Sequence, residues 1–316
     1  MSCHHGYRPL GLRSDRPLAR KSDGSYTRVG LLIRVSPLSA QETVPLDVAM
    51  LSHPGMVRPH NEDSIFADGD YGLVILADGM GGYNAGEVAS GIAVKVVSGG
   101  LLPELEAGRD MSKVDVQTGL THAALLLQQQ IAAANKGIYE TAQSRPECAG
   151  MGTTIVAAVF HSNRVSIGHI GDSRCYRLRG DKFEQLTHDH SLLQEQIDSG
   201  QLTPEQAKYS LNKNLVTRAL GIEAIVPADI AEYRLEADDI YLLCSDGLTD
   251  MVEPSVVQNV VEQRRDDLKQ AAADLIDLAN SNGGRDNISV ILIHVSAEFL
   301  PSSSWTQRWL ARKKPG

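Results

Sequence analysis

Residues 73–82, Leu-Val-Ile-Leu-Ala-Asp-Gly-Met-Gly-Gly, constrain the fold more than any other stretch of the chain. Five apolar residues, a strand's length, stop abruptly at Asp78, and three glycines follow within four residues. A strand buried on both faces reads as a continuous apolar run, and its packed neighbours fix the side chain at its end. The glycines beyond allow close backbone approach and positive φ. A carboxylate beside bare backbone suits a hard cation, which takes oxygen ligands from both. The plainer alternative is a turn in which Asp78 caps the next helix.

The pattern recurs. Residues 240–247 again run from an apolar strand into Asp246-Gly247, Asp172 follows the alternation of 167–171, and Asp286 stands just before the apolar strand 288–293. Four carboxylates at strand edges, spread over more than two hundred residues, can meet only in the folded chain. With no His or Cys cluster beside them, they point to magnesium or manganese rather than zinc.

Charge narrows the classes of partner. The net charge is −9, yet residues 1–47 and 297–316 each carry +3, which leaves −15 on the body. An acidic body argues against nucleic acid, whose phosphates need clustered basic charge. Cys3, Cys148, Cys175 and Cys244 form no Cys-x-x-Cys pair and no disulfide spacing, so a reducing, cytoplasmic compartment is expected. No apolar run reaches membrane-spanning length, so no membrane span is expected.

Residues 1–47, rich in Arg, Ser, Pro and Gly, read as a disordered extension or the product of an upstream start codon. A folded body is expected over 48–297, followed by a short basic tail, 298–316. Strands are expected at 48–52, 64–67, 71–77, 153–160, 164–170, 173–179, 182–186, 230–235, 240–244 and 288–295. Helical spacing marks 85–102, 116–143, 191–199, 255–262 and 268–280, with 103–115 as loop and a polar, flap-like interval up to residue 213. This order is no βα alternation. It fits an α+β fold in which two antiparallel sheets form a sandwich with helices layered outside.

Taken together, Arg58…Asn61-Glu62-Asp63, Ala77-Asp78-Gly79-Met80-Gly81-Gly82, Met151-Gly152-Thr153-Thr154, Gly171-Asp172-Ser173-Arg174, Leu186-Thr187-His188-Asp189-His190-Ser191, Cys244-Ser245-Asp246-Gly247-Leu248 and Arg285-Asp286-Asn287-Ile288-Ser289 closely resemble the metal-dependent type 2C protein phosphatases in their compact bacterial form. Seven motifs in family order span the whole body. The resemblance implies a four-layer α-β-β-α sandwich and hydrolysis of phosphoserine and phosphothreonine in proteins by a metal-bridging hydroxide. It implies two Mn2+ or Mg2+ ions and a third, weaker one. By position, Asp78 would bridge the two metals, the Gly79 carbonyl would ligate one, and Asp246 and Asp286 would hold the other. Asp63, with Glu62, would act through metal-bound water, Asp172 would help hold the third ion, and Arg58 would bind the phosphoryl group. An arginine suits that role because its planar fork engages phosphate in a bidentate manner.

The resemblance also implies phosphoprotein substrates, a cognate Ser/Thr kinase and a monomeric enzyme. Where eukaryotic relatives carry His after Asp-Gly, this chain has Met80; where many bacterial relatives carry His after Gly-Gly, it has Tyr83. A phenol is a weak acid at neutral pH, so a metal-bound water is expected to protonate the leaving alkoxide, with Tyr83 at most orienting it. The competing functions are another Mg/Mn-dependent phosphoesterase and a catalytically weak, phosphatase-like binding module. His169 is expected to be a hydrogen-bonded core residue, with His188 and His190 structural.

Overall fold

The continuous apolar runs lie where two sheets face each other. The computed structural model describes residues 46–82, 85–207, 210 and 215–296. One sheet has the order β1 (Leu46–His53), β11 (Ile288–Val295), β10 (Ile240–Cys244), β7 (Arg174–Arg179) and β8 (Lys182–Gln185). The other runs β2 (Asp63–Asp68), β3 (Leu73–Met80), β5 (Ile155–His161), β6 (Arg164–Ile170) and β9 (Asp229–Arg234), with the short β4 (Gly152–Thr153) added to β3. Every pairing is antiparallel.

Alternation along each strand divides its side chains between two cores. Val74 and Leu76 of β3 meet Leu243 of β10 and Ile291 and Ile293 of β11 between the sheets. Leu73, Ile75 and Ala77 face the other way, under α1 (Ala85–Glu106) and α2 (His122–Ser144). On the opposite side Leu242, Val290 and Leu292 lie under α6 (Pro254–Gln263) and α7 (Leu268–Ser281). The result is the expected four-layer α-β-β-α sandwich.

Local departures have local causes. β1 begins at Leu46, two residues before the expected start of the body, because Leu46 and Asp47 pair with Val295 and His294. α1 runs through Pro103 to Glu106, since Leu101 is buried and Leu102 and Leu105 pack on the same core. α2 starts at His122, not at 116. The Asp115 carboxylate accepts from the Gln117 and Thr118 amides, Gly119 takes φ +74°, and Thr121 caps the helix.

A short helix, α5 (Asp246–Thr249), follows β10 where none was expected; α3 (Leu192–Asp198) and α4 (Pro204–Ala207) lie between β8 and β9. Part of the flap-like interval, residues 208, 209 and 211–214, lies outside the described residues, as do 1–45 and 297–316. α1 is, by length and composition, apolar enough to cross a membrane, contrary to the expectation that no such segment exists. Its Ala85, Ala89, Ala93, Val97 and Leu101 stripe is buried against the sheet and α2, which is the packing of a core helix.

Candidate active site

The site lies at one end of the sandwich, where strand termini of both sheets deliver carboxylates. Asp63 opens β2 and stands directly across from Asp78 on β3. Two carboxylates in that register repel, so something else must hold them there. Thr154 supplies part of the answer. Its Oγ1 accepts from the Asp78 amide at 3.0 Å, while the Asp78 carbonyl accepts from the Thr154 amide and from Thr153 Oγ1. Ser245 Oγ donates to Asp63 Oδ2 at 3.0 Å from the other sheet. The Met-Gly-Thr-Thr motif is thus a clamp on the backbone of Asp78.

Asp246 sits at the N-terminus of α5, just past β10, and Asp286 just before β11. The Asp286 carboxylate accepts from Arg58 Nη2 at 2.8 Å. The resemblance assigns Arg58 to the phosphoryl group, a role that leaves its guanidinium without a carboxylate partner. Arg58 does form an ion pair, with a carboxylate of the site itself. That contact uses one of the five donors of a guanidinium that is 51% exposed. Asp172 is buried in the loop between β6 and β7; Gly171 before it takes φ +107° and donates its amide to His190 Nδ1 at 3.0 Å.

The loop bearing Arg58 is tied to the Asp286 loop by Asn287. Its Nδ2 donates to the carbonyls of Pro54 and His60 at 3.0 and 2.8 Å, and its Oδ1 accepts from the Glu62 amide at 2.8 Å. Gly79 must be glycine, because a Cβ there would lie 2.2 Å from the Gly86 carbonyl oxygen and 2.6 Å from that of Glu62.

Electrostatics shows how far these residues converge. Burial, then the charges of Asp63, Asp246, Asp172 and Asp286 in that order, push the Asp78 carboxyl well above its ordinary range. Asp246 is raised likewise by burial, then by Asp172, Asp250, Asp286 and Asp63. Asp63 is pushed up to about 6, chiefly by burial and against its serine hydrogen bonds. Asp172 rises to about 6 by burial and then by Asp189. Glu62 is raised by burial, with Arg58 pulling the other way.

Asp250 is the participant that sequence reading missed. It lies four residues after Asp246, its amide donating to the Asp246 carbonyl at 2.8 Å, and its charge acts on both Asp246 and Asp172. The Asp-x-x-x-Asp spacing was a visible signal, hidden because residues 246–250 were not read as helical. Tyr83 lies outside the described residues, and so does any test of its orientation.

His169 is buried as expected, yet neither ring nitrogen has a well-formed hydrogen bond, which corrects that part of the reading. It stacks obliquely on His190 at 4.7 Å between centroids. His190 bridges to Asp229 by Nε2, and exposed His188 pairs with Asp198.

These residues fit hard divalent cations. Among the described residues no three His, Cys, Asp or Glu side chains close into one ligand set. Against that, Asp63 Oδ1 and Glu62 Oε1 are buried without a hydrogen-bond partner, and the carboxylates raise one another's pKa. The mutual repulsion decides the matter, because water and backbone carbonyls complete the coordination of such ions and the side chains alone need not. All the donors are oxygen.

The chain belongs to the protein phosphatase 2C family, whose profile matches residues 68–288. It is 40% identical over 242 residues to serine/threonine phosphatase stp of Listeria innocua, covering 76% of this chain and 92% of that protein. It is 36% identical over 257 residues to the serine/threonine protein phosphatase PstP of Mycobacterium tuberculosis, covering 81% of this chain but 46% of that one. A crystal structure of Mycobacterium tuberculosis PstP superposes with a TM-score of 0.71 at 35% identity, over 79% of this chain and 99% of the other. The catalytic domain of PstP in complex with two manganese ions gives a TM-score of 0.68, also at 35% identity, over 80% and 100%.

Proposed function

We propose that this protein hydrolyses phosphoserine and phosphothreonine in proteins, using two Mn2+ or Mg2+ ions, and reverses a Ser/Thr kinase in bacterial signalling. The observation that carries the reading is the convergence of Asp63, Asp172, Asp246 and Asp286 on Asp78, with Arg58 beside them. Bound cations lower the pKa of water towards neutrality and polarise the phosphoryl oxygens.

The chain's own residues have separable tasks. Asp78, between Asp63 and Asp246, would be shared by the two ions, and the Gly79 carbonyl, whose residue admits no side chain, would add a neutral ligand. Asp246 and Asp286 would hold one ion from the opposite sheet. Asp63 would orient water. Asp172, with Asp250 acting on it, would contribute to a third, weaker ion. Arg58, released in part from Asp286, would engage the phosphoryl oxygens through its remaining donors.

One catalytic domain built on the sandwich accounts for all these residues. Buried, unpaired Cys148, Cys175 and Cys244 support a reducing, cytoplasmic setting, and a monomer suffices because every proposed ligand comes from one chain. The test is Asp246→Asn, with Mn2+ binding followed by calorimetry alongside turnover of a phosphothreonyl peptide. The reading expects Mn2+ affinity to fall at least about tenfold and turnover to be abolished. Unchanged Mn2+ binding would remove the two-metal assignment.

A further inference from the structure

Two large apolar side chains, Met56 and Val57, are 67% and 66% exposed and immediately precede Arg58. Their exposure does not come from a loose loop. Gly55 takes φ +80°, and a Cβ there would lie 2.2 Å from the Asp286 carbonyl oxygen, so this turn is pressed against the Asp286 loop. The Gly55 amide donates to His53 Nδ1 at 2.9 Å, and the Met56 amide donates to the Gly284 carbonyl at 2.7 Å. Asn287 then fixes the loop on both sides of the pair, at Pro54 and at His60. The backbone is therefore held at several points while the two apolar side chains remain in solvent.

We infer that Met56 and Val57 form an apolar shelf for the residue that flanks the phosphorylated side chain in a protein substrate. The inference rests on the phosphatase reading and goes further by assigning substrate selectivity. The occupant follows from continuity with the phosphate site. With its phosphoryl group at Arg58, a peptide would have its flanking residues within reach of the two residues that immediately precede Arg58, on a loop tied to that of Asp286. An apolar neighbour there covers Met56 and Val57 and leaves water itself, whereas a polar neighbour must be desolvated for no hydrogen bond in return. A pre-organised shelf gives this preference without first having to order a loop.

The test compares phosphothreonyl peptides that carry Leu or Gln directly before, or directly after, the phosphothreonine. Gln matches Leu in size and carries no charge, so repulsion from the acidic cleft does not enter. The wild type, loaded with Mn2+, should prefer Leu over Gln by about tenfold in kcat/KM in at least one of the two positions, the scale of a modest apolar contact. The double substitution Met56→Gln, Val57→Thr should bring that ratio to about one. Because the readout is a ratio between two peptides on one enzyme preparation, any general loss of activity cancels. Equal kcat/KM for Leu and Gln in the wild type, or a preference that survives the double substitution, would overturn the shelf while leaving the phosphatase reading intact. Failure of the wild type to turn over any of the peptides would strike the phosphatase reading itself and this inference with it.

Discussion

Asn287→Ala isolates the contribution of the clamp that holds the Arg58 loop. The side chain is 4% exposed and makes three hydrogen bonds across the site, to Pro54 O, His60 O and Glu62 N. Their losses are unequal. His60 is exposed, so water can replace the amide at its carbonyl, and that bond contributes close to nothing net. Pro54 and Glu62 are half-buried. Each of those losses should cost about 1 kcal/mol, giving about 2 kcal/mol in all. For a domain of this size that corresponds to a fall in Tm of about 4–8 °C.

The loop itself should then move relative to Asp286, which shows in kinetics rather than in metal binding. Denaturant unfolding and Michaelis profiles on a phosphothreonyl peptide, at saturating Mn2+, read the two consequences separately. KM should rise while Mn2+ affinity changes little, because the Asn287 side chain bonds only to backbone, and the bond from its own amide to Asp286 Oδ1 at 2.9 Å survives the substitution. A stability loss below about 0.5 kcal/mol, or a full loss with KM unchanged, would refute the idea that this side chain positions Arg58.

Arg58→Ala should raise KM and lower kcat/KM by roughly 2–3 kcal/mol, the scale of a charge-assisted bidentate contact, with Mn2+ binding retained; calorimetry that showed weakened Mn2+ binding and an unchanged KM would move Arg58 out of the phosphate site. Thr154→Val removes the hydroxyl that accepts from the Asp78 amide while keeping its shape, and should destabilise the fold by about 1–2 kcal/mol in urea unfolding. His169, held near pKa 3 by burial and then by His190, stays neutral in the fold but protonates in the unfolded chain below pH 6.5. Its stabilisation is therefore complete well above pH 6.5 and is lost as the pH falls through that value, by roughly 1 kcal/mol at pH 5.5; His169→Asn should flatten that part of the stability profile. Tyr83→Phe should cost less than about tenfold on a phosphothreonyl peptide and almost nothing on p-nitrophenyl phosphate, and a hundredfold loss confined to the peptide would make the phenol the acid.

What could be read in the sequence was what depends on neighbours along the chain. The apolar runs of β3, β10 and β11 announced buried strands, and Asp78, Asp246 and Asp286 stood out because each interrupts or precedes such a run. The start of α2 was misplaced because Val116 and Leu120 continue the apolar spacing of the helix, while the Asp115 side chain and Gly119 hold residues 116–121 in a turn. The supports of the site were illegible for a different reason. Thr154 lies 76 residues from Asp78, and Asn287 lies 225 from Glu62, so nothing local marks either side chain as a partner. The Arg58–Asp286 pair spans 228 residues and was equally invisible.

The pairing of β1 with β11 has a consequence for biosynthesis. The first strand described lies beside the last, Leu46 opposite Val295, and β11 also separates β1 from β10 in the sheet. A nascent chain emerging from the ribosome therefore cannot place β1 until residues 288–295 have been made, although the β2–β3 hairpin and the strands β5 and β6 can pair earlier. Asp286 and Asn287 arrive at the same late moment. Truncated translation products should accordingly hold half a sandwich and no complete cation site, which keeps unfinished chains from acting on phosphoproteins.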